Sequence, residues 1–372
     1  MLLRHPLFRR QITEHPALLF VCSSHACLKH SDAPTFYSVT AYNYGNLSNI
    51  AGGATSPPAP FGTLQTVQHN LKVPYSEQFS FGIQRDLPLH LFLETTYLGT
   101  LGRHLLVEPD INQPTFDALG AVSSTTNINT LRPFPGYSTI QQFMSAATSN
   151  YHALQTQLSR RLGSVTFTAA YTWSKALGNA SSDTTNDKNY YNLYWMYGPL
   201  SYDASHVFTG SFVWDLPKLK GQPAFLRVSL SNWQVSGIIH LQSGFADNIV
   251  GNTTVLTGSR EADYRGGATM LANPGPDGWF NPAAFASAPQ GRFGNSGNGN
   301  VRDPGLQLYN FSVARFFPLT ERVKLQFRAD FLNAFNHPNF QGPDNNLSNS
   351  TFGTISSAYP PRNIQFSMKL AF

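Results

Sequence analysis

The chain ends in Arg362-Asn-Ile-Gln-Phe-Ser-Met-Lys-Leu-Ala-Phe372, a segment that alternates strictly between two kinds of side chain. The apolar set is Ile364, Phe366, Met368, Leu370 and Phe372, and the residues between its members are polar or small. Because successive side chains on a strand point to opposite faces, this period predicts a strand with one apolar face. The termini of soluble domains usually fray into solvent, so a final strand that closes on phenylalanine favours a sheet embedded in a membrane.

The composition agrees with a membrane-embedded sheet. Charged residues make up 12% of the 372 residues, against about 25% in soluble domains. Aromatic residues reach 13%. The sequence has no apolar run of about 18 residues, which excludes a transmembrane helix. The net charge is only +5, without a run of Lys and Arg, so we expect no nucleic-acid partner.

Eight earlier segments also alternate and should form strands. They are Tyr75–Arg85, Leu89–Gly99, Tyr151–Leu162, Val165–Lys175, Ser205–Leu216, Asn232–Ser243, Leu306–Phe317 and Arg322–Phe335. Their lengths of about 10–13 residues exceed the ~5–6 residues of an average soluble strand. They match the ~9–11 residues that a tilted strand needs to cross a bilayer. The segment from Tyr137 to Phe143 is a candidate for a further, shorter strand.

The links between these segments alternate in length. Residues 86–88, 163–164 and 318–321 form tight links and 217–231 a moderate one, whereas the links at 100–150, 176–204, 244–304 and 336–361 are long. Outer-membrane barrels have short periplasmic turns and long extracellular loops. The predicted fold class is therefore all-β, an antiparallel transmembrane β-barrel. Its aromatic girdles would include Trp173, Trp214 and Trp233, close to strand ends.

The strand count predicts a partial barrel. Nine strands are an odd number, whereas bacterial single-chain barrels have an even one. An open sheet would leave unpaired backbone groups in lipid. We therefore expect residues 75–372 to be the C-terminal part of a larger barrel, of about 9–10 long strands, or to take a strand from before residue 75 or from 137–146. Residues 46–74 should be a loop or linker, and residues 1–45 a poorly structured or misassigned start.

Several short motifs resemble one receptor family. In chain order they are Tyr75-Ser-Glu-Gln-Phe79, Asn150-Tyr-His-Ala-Leu154, Tyr171-Thr-Trp-Ser-Lys175, Trp279-Phe-Asn-Pro282 and Phe331-Leu-Asn-Ala-Phe-Asn-His337. Together they are similar to the end of the Oar-like TonB-dependent receptors, over roughly residues 65–372. That resemblance implies a barrel of about 22 strands, an N-terminal plug and uptake of a ligand powered by the TonB system. We expect this chain to lack the plug and the TonB box, so the TonB system would be a partner of the full-length protein only.

Two sets of residues are candidates for function. One predicted extracellular loop carries Tyr190, Tyr191, Tyr194, Trp195 and Tyr197, whose rings could stack on sugars or hold hydrophobic ligands; packing within the loop is the alternative. The second set is the apolar row Ile364, Phe366, Met368, Leu370 and Phe372. By resemblance, this row looks like the signal that the barrel-assembly machinery recognises.

The remaining predictions concern location and partners. We expect the cell outer membrane of a Gram-negative bacterium, with outer-membrane lipid and an unknown ligand as partners. The scattered histidines lack metal-ligand spacing and the sequence shows no catalytic constellation, so we predict no enzyme, cofactor or metal. The alternative function is a surface-exposed structural or adhesive outer-membrane β-protein without transport activity.

Overall fold

The computed structural model describes residues 63–115, 127–134, 136–183, 189–217, 221, 223, 231–251, 260–320 and 322–372. The predicted start at 1–45, including Cys22 and Cys27, lies outside these residues, as does most of the moderate link at 217–231. Within the described ranges, none of the helical segments is long and apolar enough to cross a membrane. They are short 3-10 turns at Pro88–His90, Ile128–Thr130, Leu193–Met196 and Pro282–Ala284.

Within the described ranges, the regular structure consists mainly of seventeen strands. In chain order they are β1 (Leu64–Val67), β2 (Tyr75–Leu87), β3 (Leu91–Val107), β4 (Ile140–Arg160), β5 (Val165–Gly178), β6 (Gly198–Pro199), β7 (His206–Asp215), β8 (Trp233–Gln242), β9 (Ala246–Asp247), β10 (Ala262–Tyr264), β11 (Met270–Gly275), β12 (Gly278–Phe280), β13 (Phe285–Ser287), β14 (Val301–Arg302), β15 (Leu306–Pro318), β16 (Lys324–Leu332) and β17 (Asn363–Ala371).

Nine long strands form one antiparallel sheet in the order β17-β16-β15-β8-β7-β5-β4-β3-β2. The all-β prediction and all nine predicted strands are thus confirmed, and each neighbour in the sheet is also the neighbour along the chain among the long strands. Among the described strands, β2 and β17 each pair with a single neighbour. The described part of the sheet therefore has two open edges and does not close on itself.

Two local predictions need correction. The turn expected at 86–88 lies at Pro88–His90 instead, because Leu89 and His90 adopt left-handed backbone angles of φ 64° and 58°. Residues 64–67, expected to be loop, form β1 and pair in parallel with Ile140–Phe143. That stretch of β4 includes most of the expected short strand at 137–143, so it extends β4 and adds no new long strand.

The register of the sheet gives it one apolar face and one polar face. Directly paired residues lie on the same face, so Ile364, Phe366 and Met368 of β17 continue into Phe331, Ala329 and Phe327 of β16. The row passes on to Phe311 and Val313 of β15. Phe366 and Met368 are each 70% exposed. We call this side of the sheet the apolar face; Gln365, Ser367 and Lys369 lie on the opposite, polar face.

The polar face is concave. One hollow of about 700 Å³ is bordered by residues from seven neighbouring strands, running from Thr166 and Ser211 through Ser236 and Ser312 to Gln365. Strands lie about 4.8 Å apart, so a flat sheet would not enclose a single hollow across seven of them. The polar side is therefore the inner side of a curved sheet, and the apolar face is its outer side.

Candidate functional site: the folded layer of long links

Most of the fully buried side chains lie in the long links and not in the sheet. One apolar cluster joins Ile249, Ala262, Phe280, Phe285 and Val301, all at most 4% exposed. The ring of Phe280 lies 5.0 Å from that of Phe352, which brings the link after β16 into the same cluster. The links are thus packed against one another, and we call them the loop layer.

A second cluster fixes the link between β3 and β4. Arg132 and Asp110 form an ion pair at 3.0 Å, with both side chains at most 7% exposed. Asp110 also accepts hydrogen bonds from the backbone N–H groups of Asn112 and Ile140. The amide of fully buried Asn112 donates to the carbonyl oxygens of three residues of the same link. The buried side chains of Asp110, Asn112 and Arg132 are thus all hydrogen-bonded, as a water-poor environment requires.

Asp203 is a buried carboxylate of the loop layer that binds two cations. It is 1% exposed and accepts from the Ala176 amide at 2.6 Å, from Lys175 at 3.2 Å and from Arg302 at 2.5 Å. Burial alone would raise the pKa of Asp203, but the amide hydrogen bond and the two cations outweigh burial and lower the pKa. His206, three residues further along the chain, lies 2.7 Å from the Tyr171 hydroxyl through its Nδ1 atom.

Two further carboxylates of the loop layer, Asp247 and Asp303, lie near each other, and their hydrogen bonding is less complete. Asp247 accepts from the Asn248 amide and the Asn345 side chain. One carboxylate oxygen of Asp303 is buried without a hydrogen-bond partner. Burial, together with the nearby negative charge of Asp247, raises the pKa of Asp303 from 3.8 to about 6, and Arg302 only partly offsets this effect. Two neighbouring carboxylates resist being ionised together.

The five predicted loop aromatics do not gather around one pocket. Tyr190 and Tyr191 contact each other edge to face at 5.4 Å, and the Tyr191 hydroxyl donates to the Gln113 carbonyl oxygen. The Trp195 indole donates to the Gly294 carbonyl oxygen, and the Tyr197 hydroxyl accepts from Asn150. Tyr194 projects furthest, with 61% of its side chain exposed. Four rings thus have packing partners within the loop layer, while their free surfaces remain accessible.

The polar face carries a charged group of its own. Arg328 donates to Asp330 at 2.7 Å and to the Ser312 hydroxyl at 3.0 Å, and Ser312 also donates to Asp330. All three border the polar hollow, together with Arg160 and Arg161. A polar solute or polypeptide could be held there by hydrogen bonds. Across the described ranges, no three His, Cys, Asp or Glu side chains come together in a way that could hold a metal ion.

The predicted assembly row occupies one edge of the sheet. Ile364, Phe366, Met368 and Leu370 pair directly with β16, and the Phe366 ring stacks on Phe327 with centroids 6.1 Å apart. All nine residues of β17 are exposed. Their outward side chains therefore form one continuous apolar surface beside an open backbone edge.

Comparison with known proteins assigns the family. A family model described as "outer membrane beta barrel domain" matches residues 22–365. This chain belongs to that family. Its location is accordingly the outer membrane, as the sequence predicted. No curated protein matches the sequence significantly.

Three solved structures give the scale of the structural similarity. The outer membrane transporter YddB from Escherichia coli is 11% identical, with 83% of this chain and 34% of that chain covered and a TM-score of 0.46. A mutant of the ferric enterobactin receptor PfeA from Pseudomonas aeruginosa is 11% identical, with 82% of this chain and 32% of that chain covered and a TM-score of 0.44. The FrpB iron transporter from Neisseria meningitidis is 11% identical, with 83% of this chain and 32% of that chain covered and a TM-score of 0.41. The chain spans about a third of the length of these proteins.

Proposed function

We propose that this chain is the C-terminal part of an Oar-like TonB-dependent receptor, which binds a ligand at its loop layer for uptake across the outer membrane. The observation that carries the proposal is the open sheet of nine long strands, with β2 and β17 at its edges. Backbone groups cannot remain unpaired in lipid, so further strands must meet both edges. A larger barrel would supply these strands. The motifs that occur in order along the sequence indicate that this barrel is an Oar-like TonB-dependent receptor.

The loop layer supports a binding role for the extracellular side. Ion pairs and apolar clusters hold the long links in a fixed arrangement, and a preorganised surface loses less entropy when it binds. Tyr194 and Trp195 lie side by side on this surface and are 61% and 46% exposed. Exposed aromatic faces suit the apolar faces of sugars or other ring-containing ligands.

The TonB system and the plug belong to the full-length receptor in this proposal. The polar hollow would then face the interior of the complete barrel, where Arg328, Asp330 and Ser312 offer hydrogen-bonding groups. We also infer that the apolar row of β17 serves as the signal for the barrel-assembly machinery. An accessible backbone edge next to an accessible apolar row is what a strand-pairing partner requires.

The first test is the DNA upstream of the coding sequence. A reading frame that encodes a plug and the first strands supports the proposal, while unrelated sequence there overturns it and favours a structural or adhesive β-protein. The second test is binding of malto-oligosaccharides, followed by tryptophan fluorescence. Tyr194→Ala should weaken binding about 2- to 10-fold. Tyr359→Ala, another exposed tyrosine of the loop layer, is the matched control.

A further inference from the structure

The apolar face contains a groove along β5, β7 and β8. Its volume is about 470 Å³, and its borders include Val165, Ala169, Gly210, Trp214 and Ile239. Two directly paired residues of its floor, Gly210 and Ala169, have almost no side chain, and they leave space on the apolar face. The Phe208 ring, 3.3 Å from the Cβ position of Gly210, limits this space on one side.

Aromatic rings form the walls of this groove. Phe167 and Phe212 are directly paired across β5 and β7 and both border it. The Phe212 ring leans over Gly237, within 2.7 Å of where a Cβ would stand, and away from Gly210. The hollow is consequently narrow, apolar and elongated along the strands. From Val165 to Ala169 it spans about 13 Å, at roughly 3.3 Å per residue.

These dimensions match one acyl chain within one leaflet. The hydrocarbon core of a bilayer is about 30 Å thick, so a single leaflet contributes about 15 Å. The groove begins at Val165 and Trp214, both next to a tight-turn end of the sheet. Tight turns are periplasmic in outer-membrane barrels. The groove thus lies in the inner leaflet, with its open end at the headgroup level.

Positive charge flanks this end of the groove. Arg315 pairs with Trp233 on β8, and its guanidinium lies 5.2 Å from the Trp233 ring and 4.4 Å from the Phe317 ring. Long basic side chains reach the headgroups in this way while their stems stay in lipid.

The described strands around this end of the groove carry no acidic residue on their apolar face. By register, the apolar face of β4, β5, β7, β8 and β15, which the structure describes in full, carries no Asp or Glu. Asp215, at the end of β7, pairs with Gln234 on the polar face. Arg315 therefore places a positive charge on the apolar face beside the open end of the groove.

We propose that this groove is a binding site for an anionic glycerophospholipid of the inner leaflet. Its acyl chain would lie over Ala169 and Gly210, and its phosphate would meet Arg315. Trp214 stands where the glycerol region would be, which suits an indole at a membrane interface. The site depends on the outward direction of the apolar face and not on which ligand the loop layer binds.

The test uses the protein purified from outer membranes, together with any strands that complete its sheet, in phosphatidylcholine vesicles that contain a small share of acyl-brominated lipid, which quenches nearby tryptophans. Trp214→Phe defines the signal that comes from the groove. Brominated phosphatidylglycerol should quench Trp214 more than brominated phosphatidylcholine at equal content. Arg315→Gln should lower this preference about five-fold, the effect of one basic residue at a charged membrane surface. Lys324→Gln removes a charge near the same end of the sheet on the polar face and should leave the preference unchanged.

Filling the groove gives an independent readout. Gly210→Leu should reduce the Trp214 quenching by both lipids, while Thr95→Leu, on the apolar face of β3, should not. Ala169→Leu fills the same space from β5 and replaces Gly210→Leu if that variant does not reach the membrane. Equal quenching by the two brominated lipids, or quenching insensitive to Gly210→Leu and Ala169→Leu, overturns the proposal and shows ordinary contact with bulk lipid. A vesicle series with lipid A as competitor should not displace phosphatidylglycerol, and displacement would also overturn it.

Discussion

Arg302 donates one hydrogen bond to the Asp203 carboxylate and another to the Asp203 backbone carbonyl oxygen, across 99 positions of the chain. Arg302 belongs to β14, and Asp203 belongs to the link between β5 and β7. The same arginine presents its own carbonyl oxygen to the Trp279 indole at 2.6 Å. One side chain and its backbone thus connect three separate parts of the loop layer.

Removing this connection should loosen the loop layer without unfolding the sheet. Arg302→Gln leaves Asp203, which is 1% exposed, with Lys175 as its remaining cation. Breaking a buried ion pair from one side costs about 3 kcal/mol or more, because the other charge stays buried. We therefore expect the links to be cleaved about a hundred-fold faster in native-state proteolysis.

The matched control for this prediction is Arg292→Gln. Arg292 pairs with Asp263 in the same layer but is 48% exposed, so its loss should cost less than about 1 kcal/mol. Equal cleavage rates for the two variants would contradict the central role of Arg302.

Asp303 should make the loop layer more stable in mild acid. Its pKa rises from 3.8 to about 6 through burial and the nearby Asp247. The folded state then binds more protons than the unfolded state between about pH 4 and pH 6, so stability falls as the pH rises through this window. Asp303→Asn should remove this loss of stability at rising pH. The variant should stabilise the loop layer at pH 7 by about 1 kcal/mol, after allowance for the partial exposure of Asp303.

Hydrogen exchange of the Phe245–Asp303 backbone bond, corrected for intrinsic rates, measures this effect at about pH 5 and about pH 7. Protection should decrease with pH in the wild-type chain and stay level in Asp303→Asn. Asp277→Asn, at an exposed carboxyl, is the control. Protection that increases with pH in the wild type would refute the prediction.

The sequence predicts the strands well because each one crosses an environment with two different sides. Alternation marks every residue of β17 and most of β2, β7 and β16. It fails where strands continue into the long links: β3 continues to Val107 and β4 begins at Ile140, whereas the alternating segments end at Gly99 and begin at Tyr151. In those extensions every residue is buried or half-buried, so no two-residue period is required.

The loop layer could not be predicted in the same way. Asp203, Arg302, Asp110 and Arg132 are single charged residues in polar segments, and nothing local identifies their partners. Asp110 and Arg132 lie within one link, but Asp203 and Arg302 come from separate links and meet only through the fold of the whole chain. The aromatic residues at 190–197 were recognised from composition, yet their distribution over several contacts depends on Gln113 and Gly294 from distant links.

Gly244 should be intolerant of any side chain. The Cβ of an alanine there would stand 1.6 Å from the backbone carbonyl oxygen of Asp303, so β9 and β14 would have to separate. Overpacking of this kind typically costs about 1–3 kcal/mol, and more against rigid backbone. Gly244→Ala should therefore increase proteolysis of the loop layer, as Arg302→Gln does. Gly275→Ala adds the same methyl group into open space and should behave as the wild type; equal behaviour of both variants would disprove the steric argument.

A charge at Phe366 should impair assembly into the outer membrane. Phe366 is 70% exposed on the apolar face and stacks on Phe327, whereas Ser367, the next residue, lies on the polar face. A charge facing lipid near the bilayer midplane costs about 2–4 kcal/mol for Arg or Lys and less for Asp. Phe366→Asp should lower the amount of chain recovered from outer membranes, and Phe366→Arg should lower it further. Ser367→Asp and Ser367→Arg place the same charges on the polar face and should be tolerated. Because the two positions are adjacent, equal recovery of all four variants would mean that the apolar face does not meet lipid.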